Sequence, residues 1–343
     1  MAYRRSNGKG RKKIEPAVKT LVFSTPVINA GAEDQFYIDL SQSASLINWR
    51  FYRQGINWAV AGIKILTQSF AGQVFVYKLP ETWVMSNAWE KSFRSWQEMN
   101  EKALEDTESI KPRFMDFKIY ADDAHHNAGF AGNLLPLAGA GAATPGEWES
   151  SKISIPTSGA TGNATDFELI ATGASFQGAS PVTTLDAVSL IEGYAASRGL
   201  PYTSDPNVPD DADDVGPTGT PENWMGALNN EGMDQDKDVL DRMVGAAAEN
   251  NVAPYPFEND GVNPDTMYPG GANQLAGLQI HSTELLTPTT VGGTTRIKGG
   301  MFPCGLIKIN AIADSGVVPQ LAIQIDLVPG DHRGYLCEPM TEM

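Results

Sequence analysis

Along most of this chain apolar residues alternate with polar ones, the period of half-buried strands, and only in a few stretches do they recur at helical spacing. Residues 17–27 (AVKTLVFSTPV) are rich in β-formers, and residues 35–40 set Phe36, Ile38 and Leu40 against polar neighbours. Asn29, Gly31 and Asp34 lie between them, so the pattern predicts two short strands or one interrupted strand. The apolar run 56–68 (INWAVAGIKILTQ) and the segment 73–79 (QVFVYKL), separated by Ala71–Gly72 and closed by Pro80, predict an antiparallel hairpin. Strand alternation returns at 113–120, and again at 152–155 and 167–172. Near the end, residues 277–286, 305–312 and 321–328 are each bounded by turn residues.

Helical spacing comes in three places. Trp89, Phe93 and Trp96 form a stripe within 86–104, and Asn87 followed by Glu90 has the form of a capping box. The stripe reads as core packing. Residues 185–198 predict a helix ended by Gly199 and Pro201, and residues 236–249 place Val239, Leu240, Met243, Val244 and Ala247 on one face. The rest is loop: about 121–165, about 200–235 with its acidic, proline-rich run, and about 250–275. Roughly eight to ten short strands at both ends, with helices inside long connections, predict an all-β antiparallel sandwich in one domain, residues 17–343.

Charge changes that picture at one end. Residues 1–16 open with Arg4, Arg5, Lys9, Arg11, Lys12 and Lys13, and no acid falls among the first thirteen residues. The whole chain has formal charge −16, so removing those six cations leaves −22 on the remainder. So basic and glycine-bearing a stretch is too poor in apolar surface to offset its ordering entropy, and predicts a disordered arm. Clustered Lys and Arg release counterions from a nucleic-acid backbone, which makes polyphosphate its natural partner; a nuclear-import signal, a membrane-surface patch and a solubilising tail are the alternatives. An acidic body confines any such binding to the arm or to one face. No apolar run is long enough to span a membrane, and no apolar h-region follows the basic start.

Catalytic chemistry finds little support. The chain lacks G-x-x-x-x-G-K-[ST], G-x-S-x-G and H-E-x-x-H. Cys304 and Cys337 are its only cysteines, too few for a disulfide scaffold or a zinc quartet. Asp122, Asp123, His125 and His126 are the densest candidate metal ligands, against the reading that they are solvated at the start of a loop. Asp205, Asp210, Asp211, Asp213 and Asp214 lack EF-hand spacing, and Asn163-Ala164-Thr165 fits a glycosylation sequon. The expectation is a non-enzyme without a cofactor or metal.

Several residue runs resemble a known family. Trp148-Glu149-Ser150 leading to Asp166-Phe167-Glu168-Leu169 is similar to the middle of capsid proteins of small circular single-stranded DNA (CRESS-DNA) viruses. So are Ser189-Leu190-Ile191-Glu192-Gly193-Tyr194, Val252-Ala253-Pro254-Tyr255-Pro256-Phe257 and Tyr268-Pro269-Gly270-Gly271-Ala272-Asn273. Met301-Phe302-Pro303-Cys304-Gly305-Leu306-Ile307 and Pro329-Gly330-Asp331-His332-Arg333-Gly334-Tyr335 resemble most the stool-associated group, the smacoviruses. The resemblance covers roughly 145–343; residues 1–120 share only the layout of a basic arm followed by strands. It implies a single eight-stranded jelly roll of two four-stranded sheets, assembling with itself into an icosahedral shell, in its simplest T=1 form of about sixty copies. It further implies a single-stranded DNA genome inside as partner, an inward arm, outer loops at 204–221 and 250–273, and residence in the virion and, during assembly, the host cell interior. In a eukaryotic host that interior would be the nucleus; the host receptor stays open. The arm is short for this family, so Arg50, Arg53 and Lys64, near the first strands, are expected to share in neutralising the genome. The competing expectation is a non-viral, lectin-like β-sandwich with a basic targeting tail.

Overall fold

The computed structural model describes residues 16–29, 31, 33–67, 71–103, 116–139, 141–156, 164–174, 178–192, 194, 277–287, 293–314 and 320–342. The six arm cations, the loops about 200–235 and 250–275, and the helix expected at 236–249 lie outside them.

In chain order the elements are β1 (Thr20–Ser24), β2 (Glu33–Asp39), α1 (Leu40–Asn48), β3 (Ile56–Leu66), β4 (Gly72–Lys78) and α2 (Trp83–Ala103). Next come α3 (Asp123–Ala128), β5 (Leu137–Ala138), β6 (Gly141–Ala142), β7 (Lys152–Pro156), β8 (Ala164–Ile170) and β9 (Ala187–Ser189). The last group is β10 (Gln279–Leu286), β11 (Thr294–Phe302), β12 (Leu306–Ala313), β13 (Ala322–Leu327), β14 (Pro329–Gly330), β15 (Gly334–Tyr335) and β16 (Cys337–Pro339).

Two antiparallel sheets dominate. One has the order β1-β13-β3-β11, with β16 taking over the β13 side of β3 at Ile56–Trp58; the other has the order β10-β4-β12-β2. Their facing residues make one core. Leu21, Phe23, Val60, Ile63, Ile65, Ile323 and Ile325 come from the first sheet, and Phe36, Ile38, Val74, Val76, Ile307 and Ile309 from the second. Because strand side chains alternate, each strand gives its apolar half to this layer. The molecule is therefore mostly β, with the facing antiparallel sheets of a sandwich.

A second core lies on the other face of the four-stranded sheet. There Tyr37, Leu79 and Leu306 meet Val84, Met85, Ala88, Trp89 and Trp96 of α2, and Ile153, Phe167, Leu169 and Val188 of the small sheet β7-β8-β9. The aromatic stripe of α2 is core packing, as its spacing predicts: Trp89 stacks on Phe93 at 5.1 Å, and Phe117 meets Trp89, Phe93 and Trp96.

Several local expectations need correction. Segments 56–68 and 73–79 are strands, but they never pair: β3 and β4 lie in different sheets, each pairing with strands from the far end of the chain. Likewise 17–27 and 35–40 are two strands in opposite sheets, and the second ends at Asp39. The Asp39 carboxylate accepts from the Ser41 and Gln42 backbone N–H groups, so it caps α1 and turns the chain into a helix that ends on Trp49 in the left-handed region. Helix α2 begins earlier than expected, at Trp83, where the Thr82 hydroxyl accepts from Met85 N–H; Asn87 lies inside it and donates to the Tyr194 hydroxyl. Of 113–120, the described residues 116–119 form no strand, and only Tyr120 bridges, to Ile170. Residues 187–189, expected as helix, form β9 parallel to β8, and helical residues begin at Leu190. The loop expected at 121–165 holds α3, β5 and β6 before β7.

Candidate nucleic-acid interface

The chain enters the described residues at a fixed point. Val18 N–H donates to Asn48 Oδ1 at 2.9 Å, the Tyr335 hydroxyl donates to Val18 O, and Arg50 Nη1 donates to Pro16 O at 3.4 Å. Residues 16–18 are therefore tied beside the C-terminal end of α1.

That end presents a run of alternating character, Trp49-Arg50-Phe51-Tyr52-Arg53. Trp49 is 92% exposed and Phe51 45% exposed, and Arg53 is exposed, whereas Tyr52 and Gln54 are buried. Burial on alternate residues anchors the run: the Tyr52 hydroxyl donates to Arg333 O, and Gln54 Nε2 donates to the Asp39 carboxylate and to Ile119 O. Behind the run, the buried Lys118 braces it, with Nζ 4.5 Å from the ring centre of the buried Trp148 and 5.8 Å from that of Phe51, while pairing with Asp116. Exposed rings interleaved with cations are what single-stranded nucleic acid uses for stacking and backbone neutralisation.

Lys64 lies elsewhere. It points from β3 onto the open face of the five-stranded sheet, where Arg296 stands directly opposite it on β11 and Lys298 follows two residues on. One carboxylate, Asp326, joins this row, with Lys64 Nζ 2.8 Å from Oδ2 and the Thr20 hydroxyl donating to Oδ1. Burial alone would raise the Asp326 carboxyl, but the hydrogen bonds from Lys64, Thr20 and Gln324 outweigh it and hold the group below its ordinary value. In a chain of net charge −16, a face bearing Lys64, Arg296 and Lys298 against Asp326 is locally basic. Of the three cations expected to assist the arm, Arg50 and Arg53 thus join the aromatic run and Lys64 the sheet face. Arg296, Lys298, Trp49 and Phe51 were not anticipated, although the aromatic–arginine alternation at 49–53 is visible in the sequence.

The Asp122–His126 cluster is not a solvated loop start. Among the described residues no three His, Cys, Asp or Glu side chains are placed to hold a metal ion. Both histidines are fully buried on α3. His125 Nδ1 accepts from Ala121 N–H at 3.1 Å, so Nε2 carries the proton and donates to Asn133 Oδ1 at 2.8 Å. The ring lies flat against Tyr37 at 4.3 Å. Burial pushes its pKa down to about 4. His126 Nε2 meets the Glu168 carboxylate at 2.8 Å, which also accepts from Ser150 and Thr183. Asp122 accepts from the Tyr37 hydroxyl and from Lys308, tying α3 to β2 and β12. These are internal fastenings.

Both cysteines are free. Cys304 sits in the turn between β11 and β12 that carries the chain from one sheet to the other, with φ 55° and next to Gly305 at φ +69°. A Cβ on Gly305 would fall 2.8 Å from Trp58 Cδ1, which explains why glycine closes this corner. The 329–335 run forms the β14–β15 hairpin, which buries Tyr335 against Tyr52 and Trp58.

Comparison with protein-family models, with curated proteins and with solved structures finds no match to this chain.

Proposed function

We propose that this chain is a capsid subunit of the CRESS-DNA virus type, closest to the smacoviruses, whose basic arm and adjoining basic surfaces package single-stranded DNA. The observation that carries the reading is strand order. Numbering along the chain the strands of the two large sheets, with the short β16 beside β3 left aside, the orders are 1-8-3-6 and 5-4-7-2. Each sheet thus interleaves strands from both ends of the chain, which supports reading the sandwich as an eight-stranded jelly roll, a fold that recurs in capsid and lectin domains. The long excursion between the fourth and fifth of these strands, residues 79–278, suits a subunit that builds its contacts from inserted loops. The arm favours the capsid reading over the lectin-like one, because six clustered cations suit a polyanion.

Packaging on this reading is electrostatic and indifferent to base sequence. Six cations meeting phosphates give a logarithmic salt slope of about −4, from roughly 0.7 per contact on single strands. The test is negative-stain electron microscopy of the recombinant protein with and without nuclease, alongside a chain lacking residues 2–13. Uniform round particles with nucleic-acid absorbance are expected, and the deletion should leave assembly intact while removing most of the salt slope and much of the nucleic-acid absorbance. Monomers at every salt concentration, with a defined carbohydrate ligand, would refute it in favour of the lectin-like module.

A further inference from the structure

Beyond the arm, one cleft has the composition of a ligand site. It measures about 680 Å³, within the range of small-molecule pockets, and lies between α2, the start of β3, the β14–β15 hairpin and the C-terminal residues Pro339–Thr341. Its walls combine the rings of Phe51, Trp89, Phe93 and Phe117 with the cations Arg53, Arg94 and Arg333. One carboxylate, Glu90, lies among them, and it is already paired with Arg94 one helical turn away. Arg53 has no acidic partner among the described residues. Arg333 is fixed by its Nη1 donating to Phe51 O, and its backbone is held at φ 49°, a conformation uncommon outside glycine. Trp89, only 6% exposed, forms part of the cleft's apolar wall.

We propose that this cleft binds one nucleotide unit of a single strand, with the base against the exposed Phe51 ring and the phosphate between Arg53 and Arg333. The inference rests on the packaging reading for its biological source, but not for its chemistry. Guanidinium groups match phosphate geometry and aromatic faces take any base, so the site discriminates for a nucleotide over a bare anion or an apolar molecule. Continuity with the arm supports it: Phe51 lines both this cleft and the neighbouring depression formed by Trp49, Arg50 and Trp148, beside the point where the arm joins. A strand gripped by the arm passes those rings on its way into the cleft.

The test is titration of the full-length protein with dAMP, followed by quenching of tryptophan fluorescence, with inorganic phosphate and an acidic aromatic peptide as separate probes. Saturable dAMP binding is expected, with Arg53→Gln and Phe51→Ala each weakening it about tenfold. Arg53 is exposed, so its variant keeps the fold; Phe51→Leu provides a second ring deletion that preserves the apolar contact. Phosphate binding as tight as dAMP would overturn the base contact, and peptide binding without dAMP binding would assign the cleft to a protein partner instead. DNA-filled particles that bind no dAMP would sink the cleft and leave the capsid reading standing. A dAMP-binding protein that never assembles would do the reverse.

Discussion

Replacing His125 with glutamine should change how stability depends on pH more than it changes stability itself. The imidazole is fully buried and neutral, with Nδ1 accepting from Ala121 N–H and Nε2 donating to Asn133. Glutamine keeps one acceptor and one donor but cannot titrate. Burial lowers the folded pKa of His125 from 6.5 to about 4. Between those values the unfolded chain binds a proton that the folded one refuses, so stability is present above 6.5 and is lost as pH falls towards 4. A shift of this size corresponds to about 3 kcal/mol. Asp39 works in the opposite sense: burial raises its carboxyl from 3.8 to about 6, despite hydrogen bonds from Gln42, Gln54, Trp148 and Ser41, so its contribution improves as pH falls through 6. The two offset each other in the native chain, which makes its own pH profile uninformative. The difference between His125→Gln and the native chain removes Asp39 from the comparison. Urea unfolding followed by tryptophan fluorescence at several pH values should show the variant's deficit shrinking by about 3 kcal/mol from pH 7 to pH 4. Parallel profiles across that range would refute the buried neutral imidazole.

Other consequences are simpler to measure. Gly305→Ala forces a Cβ to 2.8 Å from Trp58 Cδ1 at a positive φ, and should cost about 1–3 kcal/mol, read as a lowered midpoint of thermal unfolding. Burial raises the Cys304 thiol well above its ordinary value and pushes Cys337 up to about 12, so a thiol reagent at neutral pH should label both only as the protein unfolds. Rapid labelling of Cys304 in the folded protein would contradict the packing at the inter-sheet corner. Lys64→Ala removes a half-buried pair with Asp326 and should cost under about 1 kcal/mol, while lowering the salt slope for single-stranded DNA by roughly 0.7.

Period-two alternation located strands such as β1 and β13, which bury one face and leave the other partly wet, whereas β3 announced itself as an apolar run and β12, covered on both faces, buries nearly every residue. It missed β11, where Gly299 and Gly300 interrupt the alternation. A Cβ at Gly299 would lie 2.1 Å from Val60 O, so the glycines there permit the close approach of two strands. Helix α1 was missed because its start depends on Asp39, a polar residue at the end of a strand, which caps it only when buried beside Gln54 and Trp148.

The composition and order of residues alone determined the basic arm, the β class and the aromatic stripe of α2, since charge density and apolar periodicity are local properties. Tertiary structure alone decided which strands pair. β3 and β4 are neighbours in sequence, yet each finds its partners more than two hundred residues away, because one-sided strands from both ends bury more apolar surface by closing two sheets over one core. It also decided that His125 and His126 are buried fastenings, and that Arg53, Arg94 and Arg333, from three separate segments, line one cleft. Alternation says which side of a strand is dry; only the closed fold says what lies against it.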